Sequence, residues 1–305
     1  MGISMSTARY KICRFNEKPN GGMFALLGLQ VLLEYGRTGA ARPPVTAALL
    51  AANSLVYLRL GPLDDILPMN CDVSFNPYRI IEGGQWSRLL SSPFVHAHEP
   101  HIFFNMTNLL WLGSELEPAM GSARFAAMVA TLLGLSQGIT LLLCKGLYFL
   151  GDGTEYFVHH AVGFSGVLFA MKVVWTAWCP KDTMSLVLVM PAKYTTWAEL
   201  LLTKTMVPQS SFIGHLGGIL AGYVYLRLNR LFGGPEPPTR RFAPRAMGAR
   251  HASARKTPPP GLWRCSSCAC DNLLSSNICG TCSTAREDLA FMRRRLQPPS
   301  SRDAP

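Results

Sequence analysis

The feature that most restricts the fold of this chain is a run of uncharged residues long enough to cross a lipid bilayer. Phe125–Leu143 contains no charged side chain in nineteen positions. A transmembrane helix needs about 20 mostly apolar residues. Only 15% of all residues in the chain are charged, whereas roughly 25% is typical of soluble domains. The sequence therefore predicts a membrane protein and argues against an ordinary soluble enzyme.

Five other segments are predicted to span the membrane, so the predicted fold class is an all-α polytopic membrane protein with six transmembrane helices. The five are Val45–Leu60, His101–Leu116, Ala161–Trp178, Ala192–Val207 and Phe212–Asn229. The least apolar of them is Ala192–Val207, which carries Lys193 and Glu199. Gly22–Glu34 is also apolar but only about a dozen residues long, so it is predicted to be an interfacial helix that follows a basic arm within residues 1–43. The alternative is that it spans the membrane, which would make seven spans and put the chain ends on opposite sides.

The basic residues predict the orientation of these spans. The N-terminal arm has four basic residues and one acidic residue, and residues 231–305 hold 12 Lys and Arg against 5 Asp and Glu. The positive-inside rule places both ends on the cytosolic-type side, which requires an even number of spans. The second, fourth and sixth spans then begin at the outer face. Their first turns contain four polar residues that share this depth: His101, Asn105, Ser165 and His215.

Ser165 and His215 are the candidate catalytic pair. Ser165 lies in the sequence Gly-Phe-Ser-Gly near the start of the fourth span, and a serine hydroxyl becomes a good nucleophile when a neighbouring base takes its proton. His215 opens the sixth span and can supply that base. His101 and Asn105 are four residues apart and share one face of the second span. Their neutral donors, together with the backbone N–H of Ser165, can stabilise a developing oxyanion.

Small residues predict that the fourth and sixth spans pack closely. Gly214, Gly218 and Gly222 recur at four-residue spacing on one face of the sixth span. Gly166 and Ala170 offer a matching small face on the fourth span. Stripes of small residues let two helix backbones approach each other. Such an approach is what a hydrogen bond within the candidate pair requires.

Together these motifs resemble the signatures of the rhomboid family of intramembrane serine proteases. The resemblance covers residues 44–230 and rests on Gly-Phe-Ser-Gly at 163–166, the glycine-rich helix around His215, His101-Ile-Phe-Phe-Asn105, Trp86-Ser-Arg88 and Leu112–Ser122. It implies a six-helix bundle, a Ser165–His215 dyad without an aspartate, and an oxyanion site that includes His101 and Asn105. It also implies a transmembrane substrate cleaved near the outer face, with the fifth span as a lateral gate.

Further histidines raise the alternative of a metal site in the membrane domain. His96, His98 and the His159–His160 pair accompany His101, and a His-x-His sequence can ligate a metal. No carboxylate or cysteine pattern accompanies these histidines, so no catalytic metal is predicted. His96 and His98 are predicted to be solvated loop residues beside the catalytic cleft.

The C-terminal quarter is predicted to contain a zinc finger. Residues 231–260 are rich in Pro, Gly and Arg and are typical of a flexible linker, whereas residues 286–305 form a basic tail. Between them, residues 261–285 contain two Cys-x-x-Cys pairs about ten residues apart, which is the spacing of a four-thiolate zinc site. The predicted ligands of Zn²⁺ are Cys265, Cys268, Cys279 and Cys282. With Trp263 and Asn272, the pattern resembles the Ran-binding-protein-type zinc finger, which implies ubiquitin or single-stranded RNA as a partner.

The predicted function is that of a serine-type endopeptidase that acts on single-span or polytopic membrane proteins in the bilayer, with zinc as a structural cofactor of the finger alone. The alternative is a catalytically silent rhomboid-like adaptor that recruits membrane clients, with the finger binding ubiquitin or RNA. A rhomboid body joined to such a finger is similar to a plant rhomboid-like subgroup that is labelled mitochondrial. A mitochondrial membrane is therefore the first predicted location and the endoplasmic reticulum the second.

Overall fold

The computed structural model describes ten stretches of the chain: residues 21–38, 43–60, 62–66, 68, 70–151, 153–178, 192–207, 209–232, 262–264 and 271–273. Residues 1–20 of the basic arm, residues 233–260 of the predicted linker and the four predicted zinc ligands lie outside these described residues. The chain divides into two compact units, Met1–Pro235 and Glu236–Pro305.

The described part of the first unit consists mainly of helices. Its long helices are α1 (Gly22–Thr38), α2 (Pro44–Leu58), α3 (Glu99–Met120), α4 (Ser122–Phe149), α5 (Ser165–Trp178), α6 (Ala192–Met206) and α7 (Phe212–Leu231). Shorter helical segments are Leu63–Ile66, Asn70–Val73, Pro77–Ile81, Arg88–Ser91, Ser92–Phe94 and Thr154–Val158. Each predicted span coincides with one of the helices α2–α7, so the expected helical bundle is confirmed.

Helix α4 is the clearest membrane-spanning candidate. Among the described residues it alone is both long enough and apolar enough to cross a bilayer, and it extends the charge-free run at both ends. Helices α2 and α5 and the Gly22–Gly36 part of α1 are apolar but have 17 residues or fewer. The count of six spans therefore stays a prediction.

Glycines bring α7 against α4 and α5. A Cβ placed on Gly218 would overlap the carbonyl oxygen of Gly166, and one on Gly222 would lie 2.8 Å from the carbonyl oxygen of Ala170. The predicted close packing of these two small-residue faces is confirmed. On the face of α7 that packs against α4, a Cβ placed on Gly217 would overlap the Thr140 side chain.

A buried carboxylate joins α2 to α3. Glu117 is 1% exposed and accepts hydrogen bonds from the backbone N–H groups of Val45 and Thr46, at 2.9 and 2.8 Å. It also accepts a bond from the Thr46 hydroxyl at 2.7 Å. These N–H groups belong to the first turn of α2, which has no earlier carbonyls to bond within the helix. Glu117 therefore caps α2 and fixes its start at the end of α3.

Helix α1 packs along α3. It is longer than the predicted Gly22–Glu34 segment, and its first turn donates to the Glu99 carboxylate at the start of α3. Further along, Gln30 Oε1 accepts a hydrogen bond of 2.9 Å from the Thr107 hydroxyl. These contacts fix α1 against α3, and its interfacial placement stays a prediction.

The acidic residue of the fifth predicted span, Glu199, has a basic partner on α5. Lys172 of α5 forms an ion pair with Glu199 of α6, and its ammonium also lies 3.5 Å from Asn108 Oδ1 of α3. Charged groups in a membrane helix are costly unless they pair or face the bundle interior. The pair explains how a helix with low apolar content packs beside α5.

The described part of the second unit is a short antiparallel hairpin. Strands β1 (Leu262–Arg264) and β2 (Asp271–Leu273) pair with Trp263 opposite Asn272. The Trp263 side chain is buried. The two residues that accompany the cysteine pattern in the sequence are thus cross-strand partners.

Candidate active site

Ser165 and His215 lie within hydrogen-bonding distance at one end of the bundle. Ser165 is the first residue of α5, and His215 lies in the first turn of α7. The Ser165 Oγ atom is 2.9 Å from His215 Nε2. The start of α7 is itself capped by Ser211, whose Oγ accepts from the Gly214 N–H at 3.2 Å. The glycine contacts between α5 and α7 therefore bring the starts of these two helices together, so that the Ser165 hydroxyl lies beside the His215 imidazole.

Packing orients the His215 ring. The ring lies against Phe169 of α5, with centroids 4.6 Å apart. The side chain is 6% exposed, and within the described part of the chain no hydrogen-bond partner faces its Nδ1 atom. A carboxylate usually orients the histidine of a catalytic triad. Here an aromatic ring one turn from Ser165 takes the place of that third group.

His101 reaches the Gly-Phe-Ser-Gly turn from α3. Gly163 has a φ of 117°, which favours glycine, and a Cβ placed on it would lie 2.6 Å from His101 Nε2. The other ring nitrogen, Nδ1, is 3.4 Å from the backbone N–H of Ala97 and accepts from it. In a neutral imidazole the proton then resides on Nε2. His101 therefore directs a donor towards the turn that carries Ser165.

Asn105 lies one turn below His101 and is bonded to its own helix. Its Nδ2 donates to the His101 carbonyl oxygen at 2.8 Å, and the side chain is 6% exposed. An amide nitrogen has two N–H groups. One N–H of Asn105 is thus committed to α3, and the second is free to bond another group.

A small cavity with several polar side chains in its wall adjoins the pair. It has a volume of about 40 Å³, and its wall includes Ser165, His215, Ser92, Ser136, Gln137 and Thr140. Three residues of this wall, Ser136, Gln137 and Thr140, lie on α4 and were not among the predicted site residues. Their signal was the spacing Ser136-Gln137-x-x-Thr140 inside an otherwise apolar span, which places two hydroxyls on one helix face.

The loop between α2 and α3 forms hydrogen bonds with the extended segment that leads into the Gly-Phe-Ser-Gly turn. Phe75 and Ala161 form an antiparallel bridge with hydrogen bonds of 2.8 and 2.9 Å. Two residues later the Gly163 N–H donates to the Ser92 carbonyl at 3.1 Å, and earlier Asn76 Nδ2 donates to the Val158 carbonyl at 2.8 Å. The loop before α3 therefore positions the backbone that enters Ser165.

Arg88 organises that loop from within. Its Nη1 donates to the carbonyl oxygens of Cys71 and Ser74, at 3.0 and 2.8 Å, and its Nε donates to Gln85 Oε1 at 2.7 Å. The Arg88 side chain is buried, whereas Trp86 is exposed. In the Trp86-Ser-Arg88 motif, the arginine therefore folds the loop and the tryptophan faces outwards.

Comparison with known proteins identifies the family. A model of the rhomboid domain matches residues 83–230. Rhomboid-like protein 14, mitochondrial, of Arabidopsis thaliana is 43% identical over 300 residues, a match that covers 88% of this chain and 87% of that protein. The chain belongs to the rhomboid family.

More distant rhomboid relatives extend this similarity. Rhomboid-related protein 4 of Mus musculus is 38% identical over 184 residues, which cover 60% of this chain and 56% of the relative. Rhomboid-type serine protease 2 of Eremothecium gossypii is 28% identical over 189 residues, which cover 62% of this chain and 69% of the relative. The rhomboid family is membrane-embedded, so this rhomboid is a membrane protein, and the Eremothecium gossypii relative carries the name serine protease.

The histidines beside the rhomboid site correct one prediction. His96 is 1% exposed and its ring centroid lies 5.0 Å from that of His101, so the expectation of a solvated residue was wrong. Burial, followed by the nearby His101, lowers the pKa of His96 well below its ordinary value. His98 instead caps α3, because its Nδ1 accepts from the His101 N–H at 3.1 Å. Within the described residues, no group of three or more potential metal ligands is present.

Replacing Gly163 with alanine is expected to lower activity by about 10- to 100-fold, because small displacements of catalytic groups have effects of this size. The new Cβ would both strain the backbone at a φ of 117° and push His101 Nε2 away. Gly151→Ala is the matched control, since Gly151 also has a positive φ, of 87°, but no atom within 4 Å of the added Cβ. Cleavage assays of both variants compare the two effects. Equal losses would assign the effect to backbone strain alone.

Stability is expected to fall between pH 6.5 and pH 4 in part through His160. Burial, followed by the charges of Arg79 and Arg88, lowers the pKa of His160 to about 4, and its Nδ1 lies 2.7 Å from Ser74 Oγ. Because the unfolded chain then binds a proton that the folded chain does not, the stability is complete above pH 6.5 and is lost towards pH 4. Thermal unfolding at several pH values measures this slope. His160→Asn should flatten it, and an unchanged slope would contradict the assignment.

Proposed function

We propose that this rhomboid is an intramembrane serine protease in which Ser165 is the nucleophile and His215 the general base. The observation that carries the proposal is the 2.9 Å separation of Ser165 Oγ and His215 Nε2. Nucleophile and base within hydrogen-bond reach are the structural mark of covalent catalysis. Membership of a family with named serine proteases supports the same assignment.

In the acylation step, Ser165 Oγ attacks the carbonyl carbon of the scissile peptide bond while His215 Nε2 takes the hydroxyl proton. The tetrahedral intermediate collapses when the C–N bond breaks, and His215 returns the proton to the departing amine. An acyl group is then bonded to Ser165. The packing contact with Phe169 holds the His215 ring in position for this proton transfer.

The negative oxygen of the tetrahedral intermediate needs donors already in place. The proposed donors are the Ser165 backbone N–H, His101 Nε2 and the second N–H of Asn105. The first two are supported by the position of Ser165 at a helix start and by the contact of His101 with Gly163. The assignment of Asn105 rests on its burial one turn below His101.

Hydrolysis of the acyl group requires water beside the partly buried Ser165. The cavity of about 40 Å³ supports this step, because a water molecule needs only about 10–15 Å³ measured in this way. The buried hydroxyl of Ser92 has no hydrogen-bond partner among the described residues and lies on the cavity wall. Such a group is suited to bind an ordered water molecule.

The proposed substrates are single-span or polytopic membrane proteins, cleaved near the membrane face at which α5 and α7 begin. The support is the position of the pair between helices of a membrane protein, where a lipid-embedded segment can approach. A mitochondrial membrane is the proposed location, since Rhomboid-like protein 14 carries mitochondrial in its name. The endoplasmic reticulum is the second choice.

Covalent labelling tests the proposal in the full chain. A fluorophosphonate probe bonds to a serine only when that serine is activated as a nucleophile, so mass spectrometry should locate the label on Ser165. The catalytically silent adaptor is the competing function and predicts an unlabelled protein. Labelling absent from a folded sample would therefore reject the protease.

The proposed partner-binding module of the second unit is a Ran-binding-protein-type zinc finger that takes ubiquitin or single-stranded RNA. Its support is the cysteine spacing and the pairing of Trp263 with Asn272. So short a module lacks room for a large apolar core, and metal binding supplies its folding energy.

Removing two of the proposed thiolate ligands is expected to abolish zinc binding. Purified full-length protein should contain about one zinc ion per chain, as four thiolates hold one ion, and the variant Cys265→Ser/Cys268→Ser should contain none. Cys270→Ser is the matched control, because this cysteine lies outside the two pairs. Elemental analysis measures the metal. Zinc retained in the double variant would contradict the ligand set.

A further inference from the structure

Helix α1 follows α3 in the same direction. At the start of α1, the backbone N–H groups of Met23 and Phe24 donate to the Glu99 carboxylate at 3.0 and 3.4 Å. Two turns later, Gln30 accepts a hydrogen bond of 2.9 Å from Thr107. The contacts thus advance together along both helices, so α1 and α3 are parallel.

Helix α2 fixes the positions of both ends of α1. Phe24 stacks on Tyr57 near the end of α2, with ring centroids 5.5 Å apart. The Tyr35 hydroxyl donates to the Pro43 carbonyl, 2.8 Å away, immediately before α2 begins. The start of α2 is held by Glu117 at the end of α3, so α2 and α3 are antiparallel. Helix α1 therefore runs from the Ser165 end of the bundle to the opposite end.

The 17 residues of α1 extend about 25 Å at 1.5 Å per residue, compared with about 30 Å for the hydrocarbon core of a bilayer. A helix in the membrane interface would cross α3 instead of following it. We propose that α1 is an additional transmembrane helix, with its outward face against lipid chains and its N-terminus on the Ser165 side of the membrane. This placement replaces the interfacial helix expected from the sequence.

The two faces of α1 have the character that this placement requires. Leu27 is 5% exposed and faces the bundle, and the polar Gln30 is bonded to Thr107. The outward face carries four leucines that are 51–72% exposed: Leu26, Leu29, Leu32 and Leu33. Such a row is unfavourable in water but suits hydrocarbon. Lipid is therefore the partner that fits this surface.

Charges near α1 fall on both sides of the membrane in this arrangement. Arg37 lies in the last turn of α1, at the same end of the bundle as Arg227 and Arg230 in the last turns of α7. That side is the basic one, as the positive-inside rule requires. The rule would also draw the basic arm there, but the bonds to Glu99 hold the start of α1 at the Ser165 end.

Protease accessibility tests the topology. The full chain carries different epitope tags at its two ends and is placed in sealed membrane vesicles of uniform orientation. Protease added outside is expected to remove one tag and to spare the other until detergent opens the vesicles. Loss or protection of both tags together would put the termini on one side and overturn the proposal. The result is independent of Ser165, so it stands whether or not the protein is a protease.

Fluorescence quenching tests the lipid contact. Leu29→Trp lies near the middle of α1, and its added emission should be quenched more by phospholipids brominated at mid-chain than by lipids brominated near the headgroup. Leu32→Trp is the second probe, and Leu27→Trp on the buried face is the control with weaker quenching. Stronger quenching of the first two probes by the headgroup lipid, or by aqueous iodide, would indicate an interfacial helix and overturn the proposal.

Discussion

Ser165→Ala and His215→Ala are each expected to reduce cleavage of a transmembrane substrate by about 10³-fold or more, since removing a member of a nucleophile–base pair has effects of this size. Alanine at 165 removes the atom that would bond to the substrate. Alanine at 215 leaves the hydroxyl without the base 2.9 Å away. Because the two groups act as one unit, the double variant should be no slower than either single variant.

Reconstituted protein with a single-span substrate measures these rates. Thr131→Ala is the matched control, since this hydroxyl on α4 is exposed and bonds the Ala127 carbonyl of its own helix. The thermal unfolding temperature of every variant is measured alongside. Wild-type cleavage by either dyad variant would refute the proposed mechanism.

Gly218→Val is expected to reduce activity by at least about 100-fold, because misplacing reacting atoms by 1 Å has an effect of this order. A Cβ at this position overlaps the carbonyl oxygen of Gly166, and backbone atoms on both sides leave little room to adjust. Helices α5 and α7 must then move apart, which separates Ser165 from His215. Overpacking should also lower the free energy of unfolding by about 1–3 kcal/mol.

Gly134→Ala on α4 is the control for this substitution. No atom lies within 4 Å of a Cβ at that position, and alanine favours a helix over glycine by about 1 kcal/mol. We therefore expect Gly134→Ala to keep its activity and to unfold at the wild-type temperature or slightly above it. Normal cleavage by Gly218→Val would show that the close approach of α5 and α7 is unnecessary for activity.

The sequence anticipated the parts of the site that depend on helix periodicity. Four-residue spacing of Gly214, Gly218 and Gly222 predicted the face that packs against Gly166, since residues this far apart share a helix face. Polar residues at the starts of the second, fourth and sixth predicted spans likewise predicted which helix ends bear the candidate catalytic residues.

The sequence could not show what depends on contacts between distant segments. The bond from Arg88 to the Ser74 carbonyl and the Phe75–Ala161 bridge lie in irregular backbone, where no periodicity exists. The burial of His96 depends on how α3 and this loop pack together. The contacts of α1 with α3 were likewise out of reach, because the length of an apolar segment does not say which helix it packs against.

The ion pair between α5 and α6 has a consequence for biosynthesis. Lys172 is synthesised before Glu199, so the partner for the acidic helix is already in the membrane when α6 leaves the insertion machinery. Glu199 alone would make a weakly apolar helix reluctant to partition into lipid. In the predicted six-span arrangement, we therefore expect correct insertion of α6 to depend on the earlier insertion of α5, so that the order of the two charges along the chain favours assembly of the bundle.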